Sequence, residues 1–237
     1  MVTFNAYVDG FNLYKGALFR RDDLKWLDLP AFCQSRRPDM ELGEVYYFTA
    51  RIKGRYAGDS APNRQHAYLR VLENQGVKVV QGQFRKDKDW LRLVAATRDQ
   101  AIQPKLARML GITQLLLDAS AKKALPDLPK SFVWSYGEKG SDVNLASYLL
   151  RDIYARTLSA ALVISGDSDL ATPIRLCKEH GVDVKTVVPN KDQPCEKLRT
   201  VSTFLEQLHV SELRKYQLPP VFQTMKGGVI RRPDEWT

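Results

Sequence analysis

The chain predicts an α/β protein: a three-layer sandwich with a central, mainly parallel sheet. Short runs rich in Val, Ile, Tyr and Phe alternate with helix-length segments, a pattern that implies crossover connections and a sheet covered on both faces. Glycines fall where those segments end, as caps and turns require. At 237 residues the chain can bury a sizeable core as one domain with insertions.

Each element has its own signal. Asn5 to Val8 reads as a first strand that turns at Asp9-Gly10 into a helix starting near Phe11. A second helix is expected over Leu29 to Ser35, and Glu44 to Ala50 (EVYYFTA) as a second strand. After a basic, glycine-containing loop, a helix from Asn63 to Asn74 ends at Gly76, and Val77 to Phe84 forms a third strand. The stretch from about 85 to 130 is less regular, with helix-favouring runs at 104–110 and 112–123, and reads as an insertion in the same domain. Phe132 to Gly137 is a short strand, Ser141 to Arg156 a helix, Ala160 to Ser165 a buried strand, and Leu170 to His180 a helix ended by Gly181. VDVKTVVP adds another strand, giving a domain over 1–212. Residues 213–237, with Pro219-Pro220, Gly227-Gly228 and Pro233, read as a tail extended over the surface, with Trp236 as its anchor.

Composition narrows the function. No apolar run approaches the roughly 20 residues that span a bilayer, and the start MVTFNAYVDG lacks the order of a secretory signal, so a cytoplasmic protein is expected. Cys33, Cys177 and Cys195 show no CxxC spacing and read as reduced thiols. The net charge of +9 favours a polyanionic partner.

Acids stand at the ends of the expected strands. Asp9 follows AYV, Asp142 follows the FVWSYG strand and opens a helix, and Asp167 and Asp169 follow AALVIS. In an open α/β sheet, ligands gather beyond the carboxyl ends of the strands, so these four are expected to converge. Taken singly, each could be a helix or turn cap. Together they would repel one another unless cations held them, and an all-oxygen set selects Mg²⁺ or Mn²⁺. Such a site suits metal-assisted phosphodiester hydrolysis. Asn12 would orient a ligating carboxylate or contact phosphate, and Ser165 offers a hydroxyl at the same rim. Asp152, ten residues beyond Asp142 and so about 15 Å away along a helix, reads as a surface charge or salt-bridge partner.

The blocks YVDGFNLY, EKGSDVNLASYLLRD and LVISGDSDL, in this order, resemble the signature blocks of the NYN domain family, within the PIN-like metal-dependent nucleases. GVDVKTVVPN and the LPP…IRRPDEW tail also look like one bacterial branch. The resemblance implies a PIN-like fold, an acidic Mg²⁺ or Mn²⁺ site and RNA, single-stranded or structured, as substrate. It matches Asp9 and Asn12 to the first block, Asp142 to the middle one, and Asp167 and Asp169 to the third. Many members carry another acid six residues after the middle aspartate, where this chain has Tyr148.

A nuclease must also hold a polyanion. Arg51, Lys53 and Arg55, after the second strand, and Lys139, three residues before Asp142, are the expected phosphate contacts; Arg85, Lys86, Lys88 and Trp90 could add charge and stacking. The leading expectation is therefore a Mg²⁺- or Mn²⁺-dependent endoribonuclease, with an RNA-binding adaptor of the same fold as the alternative and a homo-oligomer allowed for. A haloacid dehalogenase-type phosphatase is disfavoured, because the position two before Asp9 is Tyr7.

Overall fold

A computed structural model describes residues 2–54, 56–92, 130–189 and 196–237; of 85–92 and 130–137 it describes the backbone alone. The strands are β1 (Thr3–Asp9), β2 (Glu41–Thr49), β3 (Lys78–Gln81), β4 (Gln83–Arg92), β5 (Lys130–Lys139), β6 (Ala160–Ile164), β7 (Asp183–Val188), β8 (Phe204–Gln207), β9 (Val221–Gln223) and β10 (Val229–Arg231). The α-helices are α1 (Gly10–Leu13), α2 (Leu29–Arg36), α3 (Ala61–Asn74), α4 (Ser141–Tyr154), α5 (Ala171–Glu179) and α6 (Glu196–Val201). No helix among the described residues is long and apolar enough to cross a membrane.

Six strands form the central sheet in the order β3-β2-β1-β6-β7-β8, and every pairing in it is parallel. Parallel strands buried on both faces need apolar residues at successive positions, and β1 and β6 supply them. The two-residue period sorts these side chains into two cores. Phe4, Ala6, Val8, Leu162 and Ile164 point into one core with Leu13 of α1, Phe32 of α2 and Leu72 of α3. Tyr7, Ala161 and Val163 point into the other with Leu145 and Leu149 of α4, Ile174 of α5 and Leu198 of α6. The result is the expected three-layer α/β arrangement.

Between β1 and β6 the chain reverses its direction of travel across the sheet. Val8 pairs with Ile164, and on the other side Asp9 pairs with Phe48. At such a switch point the loops leaving two neighbouring strands diverge to opposite faces and open a crevice at their carboxyl ends. The β1 and β6 loops carry Asp9 and the Ser165 to Asp169 segment.

Two expectations are corrected. Val77 to Phe84 is not one strand: Gly82 divides it into β3 in the central sheet and β4 outside it. At Gly82 the chain passes so close to the start of α4 that a Cβ would lie 2.7 Å from both Lys139 O and Ser141 Oγ, while its N–H donates to Thr49 O at 2.7 Å. The strand expected over 132–137 runs from Lys130 to Lys139 and pairs with β4 rather than with the central sheet. Residues Arg85–Gly137 form a compact unit of their own, and the helices expected at 104–110 and 112–123 lie outside the described residues.

Nor are residues 213–237 a loosely extended tail. They complete a 3-10 helix (Val210–Tyr216) and form the antiparallel β9–β10 hairpin. Trp236, only 8% exposed, closes the first core against Trp26 and Tyr68, with ring centroids 6.1 and 6.2 Å away. The Trp26 indole N–H donates to Pro219 O at 2.9 Å.

Candidate metal centre

Asp9 ends β1 and is 3% exposed. One carboxylate oxygen accepts from Asn12 N–H at 2.8 Å, which caps α1, and the other accepts from the Ser165 hydroxyl at 2.9 Å. Cap and site residue are thus the same group. Its orientation is fixed from both strands that flank the switch point, and each oxygen keeps an unused lone pair. Gly10 is required here by space: a Cβ would lie 2.5 Å from the Tyr47 ring and 2.9 Å from Phe48 O.

The β6 loop is held to the β1 loop by a second bond. Asn12 Oδ1 accepts from Gly166 N–H at 2.9 Å, so its side chain positions the loop bearing Asp167 and Asp169. Asn12 thus orients Asp9 through its backbone N–H, while its side chain is engaged by the β6 loop. Ser165, fully buried, donates to Asp9 and accepts from Asp167 N–H at 3.1 Å. Its hydroxyl acts through Asp9 and is not open to substrate, which corrects its reading as a substrate contact. Asp167 caps a short 3-10 turn by accepting from Asp169 N–H at 2.9 Å.

Asp142 reaches the same rim by a different route. It is not carried there by a strand of the central sheet, because β5 lies outside that sheet. It lies in the first turn of α4, whose N-cap is Gly140 in the left-handed conformation (φ 87°) with no side-chain cap bond. The capping explanation therefore fails for Asp142. α4 itself docks through Leu145 and Leu149 on the Tyr7 side of the sheet.

A fifth acid joins these four. Glu138, at the end of β5, accepts a short hydrogen bond from the buried Ser141 hydroxyl. Burial raises its carboxyl to about 7, and the charges of Asp9 and Asp142 push in the same direction. Burial likewise lifts Asp9 to about 6 against the lowering hydrogen bonds from Asn12 and Ser165, with Asp142 and Asp167 adding to the rise. Asp142 is raised by burial first, then by Asp167 and Asp169. These mutual effects are those of carboxylates gathered on one rim. Among the described residues none of the five forms a salt bridge. Nor do any three His, Cys, Asp or Glu side chains among them stand close enough, as placed, to hold one ion.

Glu138 was legible only as an acid at the end of a strand-like run, four residues before Asp142. Tyr47 was also missed: buried beneath Gly10, its hydroxyl is pushed up by burial and then by Glu138 and Asp9.

Of the expected phosphate contacts, Arg51, Lys53 and Lys139 are exposed. Arg51 and Lys53 leave the carboxyl end of β2, whose Phe48 pairs with Asp9. Arg55 lies outside the described residues, as do the side chains of Arg85, Lys86, Lys88 and Trp90. Tyr148, at the position where the resemblance leads one to expect an acid, packs edge-on against Tyr46 and Phe48 at 5.3 and 5.6 Å beneath the Arg151 guanidinium. Asp152 is no surface charge: it is buried, accepts from the Tyr7 hydroxyl at 2.6 Å and pairs with Arg151.

The middle and third acidic blocks fall within residues 91–208, the span matched by the family model of the NYN domain. The chain carries an NYN domain. Its fold is therefore of nuclease type, and the match takes in Glu138, Asp142, Asp167 and Asp169 while Asp9 and Asn12 precede it. Over 97% of its length the chain is also similar to 6-hydroxy-3-succinoylpyridine 3-monooxygenase HspA of Pseudomonas putida, with 26% identity and 74% of that protein covered. A crystal structure of a protein of unknown function from Vibrio parahaemolyticus aligns with 88% of the chain and 93% of its own, at 12% identity and a TM-score of 0.45.

Proposed function

We propose that this NYN domain hydrolyses RNA phosphodiester bonds as a Mg²⁺- or Mn²⁺-dependent endoribonuclease. The observation that carries the reading is the gathering of Asp167 and Asp169 with Asp9, Glu138 and Asp142, the last three raised by burial and neighbouring acids, without a cationic side-chain partner among the described residues, by the switch point of a parallel sheet. Like charges crowded around the buried Asp9 are costly, and a fold that keeps them has a use for a cation there.

The donor set fits a hard divalent ion in chemistry, since all of its donors are carboxylate oxygens, although no three of them stand within reach of one ion. Asp9, Asp142, Asp167 and Asp169 would hold it. Such an ion, when bound, supplies positive charge against phosphate oxygens and acidifies water. Ser165 and Asn12 N–H keep Asp9 in one orientation, and the Asn12 side chain keeps the Asp167 and Asp169 loop against it. Lys139, Arg51 and Lys53 would neutralise phosphates of the bound strand.

The test is RNA cleavage by purified protein with MnCl₂, MgCl₂ or EDTA, and by Asp167→Asn. Metal-dependent cutting that is lost in Asp167→Asn, with the fold intact by circular dichroism, supports the reading. Cutting in EDTA, or undiminished in the variant, overturns it. A rival reading comes from the monooxygenase named among the relatives, whose alignment spans nearly the whole chain. Turnover of 6-hydroxy-3-succinoylpyridine without RNA cleavage would favour that one, and RNA binding without cutting under every metal would favour an adaptor.

A further inference from the structure

Immediately beyond Asp9 the chain exposes a row of aromatic rings. Phe11, Tyr14 and Phe19 are 44%, 36% and 42% exposed, although they belong to the segment that buries Leu13, Ala17 and Leu18 in the first core. A π-helix (Tyr14–Leu18) follows α1 directly, closed by Phe19 N–H donating to Tyr14 O at 2.7 Å. Wide turns of this kind recur at functional sites. Here the turn brings Tyr14 and Phe19 edge to face, with ring centroids 6.1 Å apart.

Cations sit among these rings. Lys15 Nζ lies 5.6 Å from the Phe11 centroid and 5.1 Å from that of Phe19, the Arg20 guanidinium lies 5.3 Å from Phe19, and Lys25 Nζ lies 5.4 Å from Tyr14. Lys25 is paired with Asp22. Lys15, Arg20 and Arg21 form no salt bridge among the described residues, so the surface keeps net positive charge. Exposed rings interleaved with unpaired cations match a strand that offers flat bases and phosphates together. A duplex, whose bases are already stacked on one another, gives such rings nothing to hold.

We infer that Phe11, Tyr14 and Phe19, with Lys15 and Arg20, form a stacking platform that receives unpaired bases of single-stranded RNA and delivers the adjoining phosphates to the rim at Asp9. The inference rests on the nuclease reading for its substrate. It narrows that substrate to unpaired RNA. Phe11 stands two residues from Asp9 in the first turn of α1, and Lys15 Nζ, 5.6 and 5.1 Å from the two ring centroids, bridges it to Phe19. Bases would engage the open ring faces while Lys15, set between Phe11 and Phe19, meets a phosphate.

The experiment measures binding in EDTA, where no metal-dependent cutting occurs, using a fluorescein-labelled uridine 12-mer, a blunt RNA duplex of the same length, and a 12-mer with a central 2-aminopurine whose emission is quenched by stacking. Wild-type protein is expected to prefer the single strand and to change the 2-aminopurine signal. Phe11→Ala and Phe19→Ala should each weaken single-strand binding about tenfold, and Phe19→Trp should retain it. Because both rings are exposed, melting temperatures should not move. Equal affinity for duplex and single strand, or unchanged binding in the Phe11→Ala/Phe19→Ala double variant, overturns the platform. Cleavage is then assayed separately with MnCl₂. Cutting that persists with wild-type binding in the double variant sinks the platform and leaves the nuclease reading standing. Ring-dependent binding without cutting does the reverse, and no RNA binding by wild-type protein removes both.

Discussion

Replacing Asp9 with Asn should make the metal-free protein more stable at neutral pH, and the gain can be worked from the fold. Burial and neighbouring charge raise the Asp9 carboxyl from 3.8 to about 6, and each tenfold change in proton affinity is about 1.4 kcal/mol, so the charged form is disfavoured by about 3 kcal/mol. The folded state binds this proton more tightly than the unfolded chain does. Stability from this group is therefore complete below pH 3.8 and is lost as pH rises through about 6. Asn has the same shape and can still accept from Asn12 N–H, but carries no charge. In EDTA at pH 7.5, Asp9→Asn should gain up to about 3 kcal/mol, or roughly 5–10 °C in melting temperature for a chain of this size. At about pH 3, where Asp9 is mostly protonated in both the folded and the unfolded chain, the two proteins should melt together. Urea titrations at both pH values provide the measurement. A variant destabilised equally at both would refute the reasoning, because Asp9 would then be a net stabilising cap rather than a charge retained at a cost.

Glu138, also raised by burial, to about 7, has the same sign of pH dependence, so wild-type stability in EDTA should fall between pH 5 and 8 in thermal melts, and MnCl₂ should restore more at pH 7.5 than at pH 5. Tyr148→Ala should cost about 2 kcal/mol by removing a half-buried ring from Tyr46 and Phe48, whereas Tyr148→Phe should melt within about 0.5 kcal/mol of wild type. Trp236→Ala should cost about 3 kcal/mol in urea titrations, since it opens a cavity against Trp26 and Tyr68. Tyr7→Phe should cost roughly 1–3 kcal/mol by leaving buried Asp152 one hydrogen bond short.

The sheet was legible because its strands are apolar at consecutive positions and its turns carry Gly or Asp, so β1, β2, β6 and β7 fall where composition places them. Asp9, Asp167 and Asp169 were legible for the same reason, as polar groups ending buried strands. Gly82 was not, because its necessity comes from a close approach by residues more than fifty positions away. The exclusion of β5 from the central sheet is likewise a matter of pairing, and a short apolar run cannot disclose its partner. Trp236 looked like an anchor, but the hairpin that carries it has a polar, Gly- and Pro-rich sequence that reads as loop. Tyr148 shows the limit of matching by position, since what fills the place of an acid here is an aromatic contact set by Tyr46 and Phe48.

The close passage at Gly82 also bears on how this scaffold tolerates change. The chain leaves the central fold just after Gly82 and rejoins it at Glu138 and Lys139, beside Gly82 itself. A detour whose ends already touch has its closure entropy settled, and doubling its length adds only about 0.6 kcal/mol. The segment between can thus be lengthened, shortened or exchanged with little thermodynamic penalty to the sheet. Because the rejoining residues run straight into α4, any such exchange joins the central fold within a few residues of Asp142.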